Sequence, residues 1–332
     1  MQSPKEAKGR WQRFKDTLAT VSVEPVMLLD GLAFSNMVVL VENLQMDKIC
    51  LNTLGESEDV CNNLNDHTDV KKAMSKEAAV FQMYNGVIIS LLPLFFILFM
   101  GAWSDKYGRK VPLVASMIGH LFYSGGYLFN SVIMKWPVEW LLLVALFESL
   151  GGGAVSFLTA ANSYISDVTS EDTRTSRIGL ANSIWFLGGP MGTLMGKFIF
   201  DAGGYKGVFG TSVVMHIVAI VYIIFYLPES HGPFSNKERM KKIIPSKPSL
   251  RIRESIAWIY GIDKKKNKGS TRNKTSGEIH REDITLRMMV SDFFNPRRLM
   301  ESVKSTFRPR EGHIRMYVLL LIFSNVLRRL GR

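Results

Sequence analysis

Two carboxylates lie where water is scarce. Asp30 falls inside the apolar stretch Val21–Leu44, and Glu148 inside Trp140–Tyr164. At about 1.5 Å of rise per residue, each is roughly 12 Å from one end of its helix, near the middle of a bilayer-length segment. An ionisable side chain in hydrocarbon is costly, so one retained there either pairs with another helix or has a task. The task that suits Asp30 and Glu148 is holding a charged solute, or taking up and releasing a proton. His120 and His216 are lone imidazoles in other apolar stretches, and for them an interhelical hydrogen bond is the ordinary role.

A second constellation is Gly101-Ala-Trp-Ser-Asp105-Lys-Tyr-Gly108-Arg109-Lys110, between the apolar runs Tyr84–Met100 and Val111–Phe129. Its two glycines allow helix ends to approach closely. Asp105 can accept from backbone N–H groups at a helix start and can pair with Arg109 or Lys110. A plain basic turn would explain Lys106, Arg109 and Lys110, but not the spacing of Gly101, Asp105 and Gly108. The only cysteines, Cys50 and Cys61, flank a short loop and suit a disulfide in an oxidising compartment. A metal reading there is poor, because His67 is the one imidazole nearby and the spacing matches no zinc pattern. No paired carboxylates, nucleophile elbow, phosphate loop or metal-ligand spacing is present, so an enzyme, a resident cofactor or a metal centre is not expected.

The elements that must carry these residues are membrane helices. Of 332 residues 47% are hydrophobic, and mean hydropathy is only +0.09 because one long polar segment dilutes it. Apolar windows of spanning length predict helices over Val21–Leu44, Tyr84–Met100, Val111–Phe129, Trp140–Tyr164, Ile178–Phe200 and Val208–Leu227. Gly151-Gly152-Gly153 and Gly188-Gly189-Pro190-Met191-Gly192 read as close-packing and bending elements within them.

The expected organisation is a short N-terminal segment (1–20), a six-helix bundle (21–230), a basic central loop (231–312) and the start of a seventh helix (313–332). Lys and Arg crowd the N-terminal segment, the Lys106–Lys110 turn and the central loop, while Glu42–Glu77 and Asp201–Lys206 are acidic or nearly neutral. Positive residues stay inside, so the N-terminus and central loop are expected in the cytosol. The net charge of +12 then reflects topology and does not call for a nucleic-acid partner. The one N-x-S/T sequon, Asn273-Lys274-Thr275, is expected to be unmodified, and Ile284–Phe307 to supply interfacial helices against anionic lipid.

The Gly101–Lys110 stretch resembles the signature loop between helices two and three of the major facilitator superfamily. Ser22-Val-Glu24-Pro25-Val26, Tyr164-Ile-Ser-Asp167-Val-Thr169, Arg174-Thr-Ser-Arg177-Ile178 and Leu227-Pro228-Glu229-Ser230 together resemble solute carrier family 46, in an insect-like form. That resemblance covers nearly all of the chain before the central loop. It implies an all-α membrane fold of twelve helices and proton-coupled uptake of organic anions such as folates, muropeptides or cyclic dinucleotides. It also implies that helices one and four line the central cavity, which would aim Asp30 and Glu148 at substrate or proton.

Two departures qualify it. Asn182 stands where the folate-carrying member has an acid, and an amide cannot titrate, so folate is not assumed. The seventh apolar run, Met316–Leu327, reaches only about 18 Å as a helix and is too short to span. The expectation is therefore a six-helix half of the fold with a truncated seventh helix. It is read as a piece of a twelve-helix carrier, in the plasma membrane or else a lysosomal or endosomal one. The alternative is a genuine half-length product that self-associates, or that regulates a full-length relative without transporting.

Overall fold

A computed structural model describes residues 22–232, 235, 292, 293 and 300, and the described chain is all helical. The order is α1 (Glu24–Lys48), a π-helical turn (Ile49–Thr53), α2 (Glu58–Asn62), α3 (Thr68–Tyr107), α4 (Lys110–Val132), α5 (Trp140–Leu150), α6 (Gly153–Val168) and α7 (Glu171–Phe225). The seventh run, the Asn273 sequon and nearly all of Ile284–Phe307 lie outside the described residues.

Pro25 opens α1, where its missing N–H costs nothing. Four helical spans, Glu24–Thr53, Thr68–Tyr107, Trp140–Val168 and Glu171–Phe225, are long and apolar enough to cross a membrane. The last has 55 residues. At about 1.5 Å per residue it is more than twice the thickness of a bilayer core. It accordingly turns once, at Gly204 (φ 57°, ψ −155°), a backbone that side chains rarely adopt. The two helices expected over Ile178–Phe200 and Val208–Leu227 are the two limbs of α7, joined by a single-residue break instead of a loop. α4 is long enough to span but less apolar, because it carries Ser116, His120, Ser124 and Asn130; all four are buried within the bundle.

Three expectations are corrected. The second helix starts at Thr68, not Tyr84, so much of Glu42–Glu77 is helix and not loop. The apolar window detects only the part of α3 that must meet lipid, and the polar first turns are held by packing of Met74, Ala78 and Phe81 into the core. The Trp140–Tyr164 helix is two helices, α5 and α6, broken at Gly152 and Gly153, whose φ values are 87° and 59°. Among the described residues, no other element comes within 4 Å of a Cβ placed on Gly101, where close approach was expected.

The interior is sorted into three levels. One apolar cluster gathers Val26, Met27, Leu113, Met117, Phe157, Tyr164 and Ala219 at the Gly101–Lys110 end. A second gathers Met37, Leu44, Cys50, Phe81, Tyr127, Leu141 and Phe209 at the other end, where Cys50 and Cys61 are joined by a disulfide with Cα atoms 6.0 Å apart. Between them lies a polar layer. The outer faces are the reverse of a water-soluble protein, with Phe95, Phe122, Phe186, Phe198 and Phe225 exposed.

The tightest crossing is that of α1 on α7. A Cβ on Gly192 would sit 2.6 Å from the Leu32 carbonyl oxygen, and one on Gly188 would strike the Gly31–Leu32 backbone. Glycine is required there because no side chain fits between the two backbones. Polar side chains then tie the passes together. Asn36 Nδ2 donates to Val208 O (3.0 Å) and Ser212 Oγ (2.9 Å). Lys48 Nζ donates to the carbonyls of Ile133 (3.1 Å), Met134 (3.3 Å) and Trp136 (3.0 Å), closing the end of α4.

Candidate functional site

The polar layer is built around Asp30, which is 1% exposed. Its Oδ1 lies 2.6 Å from His120 Nδ1 of α4, and its Oδ2 accepts at 2.8 Å from Trp185 Nε1 of the first limb of α7. His216, on the second limb, places Nε2 3.8 Å from the same Oδ1. Its Nδ1 is 3.0 Å from Ser124 Oγ, one turn along α4 from His120. One carboxylate thus gathers groups from four passes of the chain. The two imidazoles lie 5.8 Å apart between centroids, and Phe157 closes the side of His120 edge-on at 5.9 Å.

Glu148 joins this layer from α5. The main chain at Glu148 packs on Gly119 of α4, next to His120. Glu148 therefore lies beside the helix α4 segment that presents His120 to Asp30. Asn182 stands apart from it. Its Nδ2 donates to Asn162 Oδ1 at 3.2 Å, a tie between α7 and α6, one turn from Trp185. His120 and His216, read from sequence as interhelical hydrogen-bonding residues, are functional candidates here, as are Ser124 and Trp185, which sequence reasoning did not single out. The available signal was that polar residues on different helices fall at similar depth, which by itself does not say that they meet.

A second network occupies the Gly101–Lys110 end. Arg109 pairs with Asp105 (2.6 Å, i,i+4) and donates through Nε to Asp167 Oδ2 (3.0 Å) and through Nη1 to Ser104 Oγ (2.6 Å). Gly108 ends α3 at φ 112°, and a Cβ there would run into the Glu229 carboxyl. Glu229 caps the start of α4, its Oε1 accepting from the N–H groups of Arg109 (2.6 Å) and Lys110 (3.1 Å). Burial pushes the Glu229 carboxyl above the usual range, and these backbone donors oppose that rise. His231 sets Nδ1 3.1 Å from Asp167 Oδ2 and Nε2 3.1 Å from the Ser104 carbonyl. The bond to Asp167 raises the His231 pKa. Lys106 and Tyr107 both donate to Asp292 Oδ2 (2.9 and 3.0 Å), which brings one residue of the central segment onto α3. At the start of the bundle Arg177 Nε donates to Glu24 Oε1 at 3.0 Å.

The family model described as Major Facilitator Superfamily matches residues 74–326, most of the chain. The chain belongs to this superfamily. Its Asp105–Arg109–Asp167 network sits at the loop that the superfamily resemblance pointed to. Among curated relatives of this superfamily member, the lysosomal proton-coupled steroid conjugate and bile acid symporter SLC46A3 of Gallus gallus is 28% identical over 52% of this chain and 39% of that protein. The probable peptidoglycan muropeptide transporter SLC46 of Drosophila melanogaster is 25% identical over 64% and 43%. The proton-coupled folate transporter of Rattus norvegicus is 27% identical over 48% and 35%. The matches thus span less than half the length of each of these relatives. A solved structure, that of the human organic anion transporter MFSD10 (TETRAN), is similar with a TM-score of 0.49 and 14% identity over 74% of this chain and 61% of that one. The superfamily is one of transporters, and the chain is an integral membrane protein similar in sequence to members of solute carrier family 46.

Proposed function

We propose that the protein takes part in secondary active transport, moving a small organic anion together with protons. The observation that carries this reading is the Asp30 carboxylate, buried at mid-bundle and shared among His120, Trp185 and His216. A charge so placed is expensive unless it is used. Its groups come from several helices, so a change in their protonation alters contacts among the passes that must move in a transport cycle.

Asp30 and Glu148 are assigned to binding and releasing the proton, with His120 as the relay between them. Asn182 lines the path without titrating. The Asp105–Arg109–Asp167–Glu229 network is assigned to holding one end of the bundle closed. The names of the relatives, which mention folate, muropeptide and steroid-conjugate transport, support an organic solute as cargo. The distribution of Lys and Arg supports a cytosolic N-terminus and network, with the disulfide on the opposite side. The plasma membrane is the assigned location, with a lysosomal membrane as the variant that the Gallus relative's name supports.

The test is uptake into proteoliposomes, with folate, a muropeptide and a steroid conjugate offered under inward and collapsed proton gradients. Accumulation that needs the gradient is expected, with Asp30→Asn abolishing it and Glu148→Gln removing its pH dependence at normal protein incorporation. Accumulation indifferent to the gradient, or unaltered in both variants, would sink proton coupling through this layer.

A further inference from the structure

The proton inventory of the polar layer leaves a gap that a cation would fill. Ser124 has one hydroxyl proton, which it gives to the main-chain carbonyl of His120 (3.1 Å) or Leu121 (3.2 Å). With the hydroxyl so used, its oxygen accepts from His216 Nδ1–H at 3.0 Å, one of the two tautomers that this contact permits. In that tautomer a neutral ring turns an unprotonated Nε2 towards Asp30 Oδ1 at 3.8 Å, an arrangement that a cation between them would relieve.

We propose that Asp30, His120 and His216 form a binding site for a divalent first-row transition-metal ion of the zinc type. The donor set is two imidazoles and a carboxylate, which suits Zn²⁺ with one position left open. One ligand atom from each residue lies within 4.8 Å of the others. The measured separations to Asp30 Oδ1 are 2.6 Å from His120 and 3.8 Å from His216. Metal bonds of about 2.0–2.1 Å in a tetrahedron would hold ligand atoms roughly 3.3 Å apart, so the two separations to Asp30 each need to change by less than about 1 Å. When His216 Nδ1 donates to Ser124 Oγ, Ser124 supplies the kind of supporting bond that metal-bound histidines make, with Nε2 turned inward. The three ligands come from α1, α4 and the second limb of α7, so no sequence spacing announces them. Bound metal occupies the position of the proton, and metal and proton exclude each other; that consequence alone rests on the transport reading above.

The full chain without a histidine tag, purified in detergent and titrated with Co²⁺, tests the site. A ligand-field absorption band that saturates at one ion per chain and disappears on adding Zn²⁺ is expected. His216→Ala and His120→Ala should weaken binding by at least about tenfold, and Ser124→Ala more mildly, while His67→Gln at an exposed position leaves the band intact. Zinc-edge absorption of the unmodified protein, which counts imidazole ligands directly, covers the case in which a variant does not fold; it should report two. Absence of the band, a band that survives both histidine substitutions in monodisperse protein, or an edge spectrum without two imidazoles would overturn the proposal. Transport plays no part in these readouts, so failed uptake with bound metal counts against the transport reading alone.

Discussion

At the scale of single residues, the bundle is governed by charges that burial makes consequential. Asp30 is held by an imidazole and an indole, and removing His120 takes the closest partner from a buried carboxylate, a cost that in buried pairs runs to about 3–5 kcal/mol. His231 offers the cleaner pH test because it lies at the water-facing end of the molecule. Both of its ring nitrogens face acceptors, Asp167 Oδ2 on one side and the Ser104 carbonyl on the other, so the doubly protonated ring satisfies all of them. The bond to Asp167 raises its pKa above the ordinary value of about 6.5. A group raised in the folded state contributes stability in full below its unfolded pKa and loses it as pH climbs through the folded one. The wild type should therefore melt higher than His231→Gln in mildly acidic buffer, with the gap closing as pH rises into the alkaline range. A melting difference that is constant across that range would mean that the imidazolium contributes nothing.

At the scale of elements, the decisive feature is how closely α1 and α7 approach. In lipid no hydrophobic force drives helices together, so packing and polar ties must do so. The row Gly188, Gly192 and Gly196 lies directly on the α1 backbone, whereas Gly189 on the same helix faces open space. Gly192→Leu should thus lower the thermal midpoint in detergent by the equivalent of on the order of 1–3 kcal/mol. Gly189→Ala should be neutral or slightly stabilising, since it adds helix propensity without a clash. Equal effects of the two substitutions would show that the crossing is looser than described. The same logic accounts for the glycines of the α5–α6 junction. Gly152 and Gly153 take left-handed backbone angles that end one helix and start the next, so bending there belongs to the fold.

At the scale of the whole molecule, polarity is turned inside out. Phenylalanines cover the outside, a carboxylate–histidine layer fills the middle, and two apolar clusters sandwich that layer. An Arg- and carboxylate-rich network marks one end and a disulfide the other. The orientation inferred from basic residues makes a prediction for the intact protein in cells. An epitope at the N-terminus should be reached only after permeabilisation, and the Asn273 sequon should carry no glycan. A glycan at Asn273 would invert the assignment of both ends.

Much of this was legible in the residue string because the bilayer imposes one-dimensional constraints. The length of an apolar run measures a membrane crossing, and an Asp, two Gly and an Arg at fixed spacing describe a turn whose partners are mostly local. Asp105 and Arg109, four residues apart, meet as that spacing suggests. Cys50 and Cys61 are also near neighbours along the chain. What tertiary structure alone decided is which helix face meets which. Helical periodicity tells that Asp30, His120, Trp185 and His216 lie on particular faces, but not that those faces share an axis. Their contacts join residues 90 or more positions apart, and the closeness of α1 to α7 that permits them depends on glycines which show no chemistry of their own. The same holds for Glu229, which caps α4 from 120 residues away. Gly101 makes the converse point, since its type and spacing suggested a contact that the described residues do not supply. Sequence sets the local geometry of each pass through short-range sterics and transfer free energy. The centre exists only because long-range packing brings four such passes to one carboxylate.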